Sequence, residues 1–203
     1  MKKTFKLGAT LGIYAAVSCL CLAVVNSFTA PVIKEHEIQK ENEGLRIVCP
    51  QASKFIPVEK AEIDSALSSV NEKFGSIAIV GMYRAVDSNN QDLGYIAKIK
   101  GPTYETTSLL LGLDLEQKIT GVHILSTSDS PGYGQKAVDP KFSTSKGKTF
   151  YGQFAGLSPL SSFERGSDWE IISGATITSN GISNMITAGS KVIKAYADSH
   201  KAE

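Results

Sequence analysis

The residues best suited to chemistry lie in one stretch near the C-terminal end: Glu170-Ile171-Ile172-Ser173-Gly174-Ala175-Thr176-Ile177-Thr178-Ser179-Asn180-Gly181. It joins a short apolar run to the start of an amphipathic helix. Ser173, Thr176, Thr178, Ser179 and Asn180 place hydroxyls and an amide where a helix begins, beside N–H groups that no helical carbonyl can reach. Gly174 and Ala175 keep side-chain bulk away, so another molecule can approach the main chain. A phosphate suits such a place, because a helix N-terminus offers free donors and a partial positive charge. Spacing alone also allows a plainer reading, in which Thr178 or Ser179 caps the helix.

Other candidate chemistry is weaker. Ser128-Asp129-Ser130-Pro131-Gly132-Tyr133-Gly134 reads as a polar glycine turn. Ser128, Asp129 and His123 lack the Gly-x-Ser-x-Gly elbow of a hydrolase. His36, His123 and His200 are far apart and show no metal-ligand spacing, so no metal site is expected. Cys19 and Cys21 sit in an apolar leader and Cys49 stands alone. No Cys-x-x-Cys occurs, which argues against iron–sulfur clusters and c-type haem. Trp169 and Tyr151 read as core.

The elements that must position the 170–181 segment follow from charge and periodicity. The 203 residues carry 21 Lys+Arg against 20 Asp+Glu, a net of +1 that excludes a basic nucleic-acid binder. The balance hides an asymmetry. Lys2, Lys3 and Lys6 are the only charges before Lys34, so the remainder carries 18 basic and 20 acidic residues, a net of −2. Residues 7–28 are 22 residues of apolar chain, against roughly 20 needed for a helix to cross the hydrocarbon core. The lysines predict a cytoplasmic N-terminus for residues 1–6 and an extracytoplasmic position for all that follows. A cleaved signal is the rival, but its apolar region would be shorter, about 7–15 residues. A lipoprotein signal around Cys19 is disfavoured because the apolar run continues past it.

Residues 34–57 read as a charged stalk and 58–203 as one domain. Within it, 59–74 carries Ile63, Ala66, Leu67 and Val70 on one helical face. Residues 77–86, 95–100, 108–113 and 119–126 read as strands of a small antiparallel or mixed sheet. Residues 127–166 read as loops. Ile182, Met185, Ile186, Gly189, Val192, Ile193 and Tyr196 then line one face of a long C-terminal helix. The fold class is α+β, with a single N-terminal transmembrane helix.

Ser173-Gly174-Ala175-Thr176 followed by Ile177-Thr178-Ser179 resembles the flavinylation motif of the FMN-binding domain family. That family includes the G subunit of the Rnf electron-transport complex and the C subunit of the sodium-translocating NADH:quinone reductase. The leader, the 93–122 region and Asp129-Ser130-Pro131-Gly132-Tyr133-Gly134, standing where the family carries Glu-Thr-Pro-Gly-Leu-Gly, extend the likeness. Glu170 stands where the family has Asp.

The resemblance implies FMN joined by a phosphoester to Thr176, attached by a separate flavin transferase. It also implies an electron-relay role beside the other subunits of an ion-translocating ferredoxin:NAD oxidoreductase in the cytoplasmic membrane. Ser173, Gly174, Ala175, Thr178, Ser179 and Glu170 would surround the attachment point, and Pro131, Gly132 and Tyr133 would face the isoalloxazine. The C subunit of the quinone reductase, and an anchored extracytoplasmic binding domain without a cofactor, are the alternatives.

Overall fold

The computed structural model describes residues 2–200. Helix α1 (Lys2–Val48) is continuous through Pro31. It contains an apolar stretch with a mean hydropathy of 2.1, long enough to cross a membrane and with none of it buried. Three hydroxyls of this stretch are satisfied within the helix. The Thr10 hydroxyl donates to the Lys6 carbonyl at 2.9 Å, and those of Ser27 and Thr29 donate to the carbonyls of Val24 and Val25 at 2.8 and 3.0 Å. Internal pairing of this kind makes hydroxyls tolerable in lipid.

Residues up to Asn42 form one unit, and the chain from Glu43 onward forms a second. In the second unit α1 ends, and β1 (Lys54–Pro57), α2 (Lys60–Ser69), β2 (Ala78–Val86), β3 (Asp92–Pro102), β4 (Thr106–Asp114), β5 (Ile119–Thr127) and α3 (Thr176–His200) follow. The strands form a sheet in the order β1-β2-β3-β4-β5, every pair antiparallel. Aspartate closes two of the hairpins. Asp87 Oδ1 accepts from the Asn89 and Gln91 N–H groups at 2.7 and 2.9 Å, and Asp114 Oδ1 accepts from those of Glu116 and Lys118 at 2.9 Å each.

Alternation along β3 and β4 divides the sheet into two apolar faces. Tyr95, Ala97, Ile99, Leu109, Leu111 and Leu113 face α3 and meet Ile182, Met185, Ile186, Val192 and Ile193. Each fully buried Leu, Ile or Met here contributes about 1.5–3 kcal/mol. Such packing holds a helix whose Gly, Ser and Thr content gives it little intrinsic propensity. Gly189 lets α3 settle onto Ile99 and Leu111. Ile96 and Leu110 point the other way, against Leu45, Val48 and Cys49. Val48 lies over the cross-strand pair Gly112 and Gly121, where a Cβ would meet it at 2.4 and 3.1 Å.

Two elements differ from the sequence expectation. Residues 43–57, read as stalk, contribute core side chains and the edge strand β1, because Leu45, Val48 and Cys49 find an apolar sheet face to bury against. The helix expected over 59–74 stops at Ser69. Ser68 and Ser69 turn their hydroxyls back to the carbonyls of Asp64 and Ala66 at 2.8 and 2.7 Å, and Val70 is extended. The long connection from β5 to α3 is held by a cluster of Phe150, Phe154, Phe163 and Trp169. Trp169 is therefore core, as the sequence suggested.

Candidate functional site

The start of α3 is built without a side-chain cap. The Ala175 carbonyl accepts the first helical bond, from the Ser179 N–H at 3.0 Å, so Ala175 holds the capping position with no side-chain acceptor to offer. Helical geometry then leaves the N–H groups of Thr176, Ile177 and Thr178 without intrahelical partners. Gly174 precedes them at φ +80°, a conformation that favours glycine.

The two hydroxyls read as possible caps do other work. Ser179 Oγ donates to the Ala175 carbonyl at 2.9 Å and accepts the Ile172 N–H at 3.0 Å, tying the helix to the strand-like segment before it. Thr178 Oγ1 donates to Asp129 Oδ2 at 2.5 Å.

Asp129 is the hidden centre of this region. It is fully buried, and its Oδ1 accepts from the Thr103 hydroxyl at 2.7 Å and the Glu105 N–H at 2.8 Å. Burial pushes its pKa up, yet the hydrogen bonds from Thr178, Thr103 and the 104–105 backbone outweigh that and hold it below the usual carboxylate range. Each bond to a charged acceptor contributes about 1.5–3 kcal/mol, enough in sum to offset several kcal/mol of desolvation. Gly134 runs close by. A Cβ there would lie 2.5 Å from Asp129 Cβ and 2.8 Å from Thr178 Oγ1.

Above this floor opens a cavity of about 500 Å³. Gly174, Ala175, Thr176, Ile177 and Thr178 form one wall, Ser130, Tyr133 and Gly134 another, and Tyr104 from the β3–β4 turn a third. Thr176 is exposed at the helix start, so its hydroxyl is accessible. Tyr104, Tyr133 and Ile177 are about 60% exposed (62%, 60% and 60%), an unusual concentration of uncovered large apolar side chains around one opening. The Tyr133 ring lies against Gly174, where a Cβ would come within 3.0 Å of it.

Of the residues singled out in the sequence, the cavity gathers Thr176, Gly174, Ala175, Thr178 and Tyr133. Ser173, Ser179, Glu170, Pro131 and Gly132 are not in its lining. Glu170 faces the loop at 145, where its carboxylate accepts the Ser145 N–H at 2.8 Å and the Ser145 hydroxyl. Those two bonds lower its pKa. Pro131 and Gly132, the latter at φ +80°, carry the exposed turn between Ser130 and Tyr133. Ser130 and Gly134 of the glycine turn also line the cavity, and Tyr104 and Ile177 join them without a sequence expectation of their own. The signal for Asp129 was a Ser-Asp-Ser run directly after a strand. Tyr104 carries none, since only the β3–β4 pairing brings it to α3.

Comparison with known proteins agrees with this geometry. Residues 1–48 match the RnfG N-terminal region, and residues 104–191 match the FMN-binding domain. Every residue lining the cavity falls within the second match. The chain is 28% identical over 195 residues to the G subunit of the Na(+)-translocating ferredoxin:NAD(+) oxidoreductase complex of Acetobacterium woodii, covering 94% of this chain and 92% of that one. It is 28% identical over 185 residues to the G subunit of the ion-translocating oxidoreductase complex of Methanosarcina acetivorans, covering 89% of each. The crystal structure of Shewanella oneidensis NqrC shares the fold, with a TM-score of 0.54 at 13% identity over 78% of this chain and 88% of that one. The resemblance to the Rnf G subunit and its α+β fold therefore holds.

Proposed function

We propose that this chain, which carries an FMN-binding domain behind an RnfG N-terminal region, is the membrane-anchored flavoprotein subunit of an Rnf-type complex and bears its FMN as a phosphoester on Thr176. The observation that carries the reading is the cavity: its walls lie wholly within the FMN-binding match, and Thr176 opens into it from the first position of α3. The residues fit the group. The uncapped N–H groups of Thr176, Ile177 and Thr178 suit a phosphate, and the glycines at 134 and 174 leave the main chain approachable. Tyr104, Tyr133 and Ile177 offer apolar surface to a flat ring.

Bound FMN supplies the electron transfer, and the protein positions it and tunes its potential. The Thr176 oxygen would receive the FMN group from FAD in a reaction run by a separate flavin transferase. The Oγ1–P bond forms, the pyrophosphate P–O bond breaks, AMP leaves and the hydroxyl proton passes to solvent. A tether of this kind prevents loss by dilution, which matters on the extracytoplasmic side, where the positive-inside rule places the domain. The chain serves as one relay. Other subunits hold the NAD site, the iron–sulfur centres and the ion path, since one apolar helix offers no ion pathway of its own. The C subunit of the quinone reductase shares the fold, but the relatives matched over nearly the full length are G subunits of ion-translocating complexes.

Co-expression of the full chain with a flavin transferase, followed by a denaturing gel under ultraviolet light, tests the tether. A fluorescent band that vanishes in Thr176→Ala is expected. A dark wild-type band, or a bright Thr176→Ala band, overturns the assignment.

A further inference from the structure

Three walls of the cavity come from distant parts of the chain, and one side chain touches all three. Asp129 is separated from Thr103 by 26 residues, from Glu105 by 24 and from Thr178 by 49, and hydrogen-bonds to each. Tyr104, a wall of the cavity, lies between the first two, and the Ser130–Gly134 wall begins at the next residue. The third bond reaches the first turn of α3, two residues from Thr176. Thr107 extends the group, lying 3.0 Å from Thr103 Oγ1 and donating to Thr127 Oγ1 at 2.9 Å. Asp129 and Thr107 are buried, and a Cβ at position 134 would lie 2.7 Å from Asp129 Oδ2, so the loop packs closely on the carboxylate.

We infer that Asp129 is a positioning residue for the flavin site: through Thr178, Thr103 and the Glu105 N–H it holds the Thr176 acceptor and the Tyr104 wall in register with the Ser130–Gly134 loop. The inference rests on the proposed function but concerns a residue that never touches the ligand. Its two oxygens divide the work. Oδ1 serves the β3–β4 turn and Oδ2 serves α3, so Asp129→Asn keeps an acceptor for Thr103 and Glu105 while replacing the acceptor for Thr178 with an NH2 group. Thr178→Val removes the same bond from the other side, and Thr178→Ser keeps the hydroxyl.

Two measurements on the full chain in detergent decide the matter. In the first, purified flavin transferase and FAD load the protein, and in-gel fluorescence follows the rate for the folded fraction. Asp129→Asn and Thr178→Val should each slow loading about tenfold or more, since sub-ångström placement of an acceptor governs such rates. The double variant should be no slower than either single one, and serine should restore what valine loses. In the second, amide hydrogen exchange is measured without flavin. Asp129→Asn should speed exchange at 179–182, where the first helical bonds of α3 form, and Asp129→Ala both there and at 103–105. A wild-type chain that takes no flavin refutes the functional reading and leaves exchange to judge Asp129. Unchanged exchange at both segments, or loading of Asp129→Asn at the wild-type rate in a chain that loads, overturns the inference.

Discussion

Gly134→Ala is the sharpest probe of how tightly the cavity floor is packed. The added Cβ would sit 2.5 Å from Asp129 Cβ, 2.7 Å from its Oδ2 and 2.8 Å from Thr178 Oγ1. Nothing flexible is there to yield, since Asp129 is fully buried and both its oxygens are engaged. If the neighbours are pushed apart, overpacking costs about 1–3 kcal/mol. If instead the carboxylate swings off Thr178, a bond worth about 1.5–3 kcal/mol is lost. Reduced freedom of the unfolded chain returns about 0.4–1 kcal/mol, leaving a net loss of about 1–2 kcal/mol. For a chain of this size that lowers Tm by about 2–8 °C. Gly81→Ala is the matched control: its Cβ would meet Lys98 at an ordinary 3.9 Å, so Tm should hold or rise. Thermal unfolding can be followed by emission of Trp169, the only tryptophan and part of the core. Equal Tm values for the two variants would refute the close packing of Gly134 on Asp129.

Acid should test the same carboxylate. Its folded pKa is depressed, so its stabilisation is present above about pH 4 and fades as pH falls through the lower folded value. The Tm gap between wild type and Asp129→Asn should therefore narrow in acid, and a gap that widens would contradict the ionised state. At the alkaline end, burial and then nearby Asp92 push Tyr95 up to about 12. Stability from Tyr95 should persist to about pH 10 and decline toward pH 12, a fall that Tyr95→Phe removes in an alkaline unfolding series. Gly112→Ala should cost about 1–3 kcal/mol in denaturant unfolding, because its Cβ collides with Val48 and Thr120. Glu170→Gln should leave the midpoint of the same unfolding measurement unchanged, since its bonds to Ser145 are on the exposed surface.

Much of the fold was legible because it rests on local pattern. The expected strands at 77–86, 95–100, 108–113 and 119–126 lie within β2 to β5 apart from Ile77, and the apolar stripe of 182–196 matches the buried face of α3. Strand β1 escaped notice since Lys54-Phe55-Ile56-Pro57 is too short to show alternation and ends on proline. Thr176 and its neighbours could be found from residue types at a helix start. The rest of the cavity could not, because Tyr104 and Asp129 gain meaning only through pairing across 24 to 49 residues. Reading Ser179 as a cap erred by one turn, as the helix begins at Thr176 and the Ser179 hydroxyl turns back to the Ala175 carbonyl.

The dependence of the floor on Thr178 also sets an order of events during synthesis. The β3–β4 turn and Asp129 emerge from the ribosome before α3 and can pair with each other, yet Asp129 Oδ2 has no Thr178 to hold until the last 25-residue helix of the described chain has docked. A truncated or half-folded chain thus presents a Thr176 without the walls around it. Under the proposed function, attachment of the flavin becomes a maturation checkpoint that only a finished domain can pass, and the fluorescence of the tethered group reports completed folding in the cell.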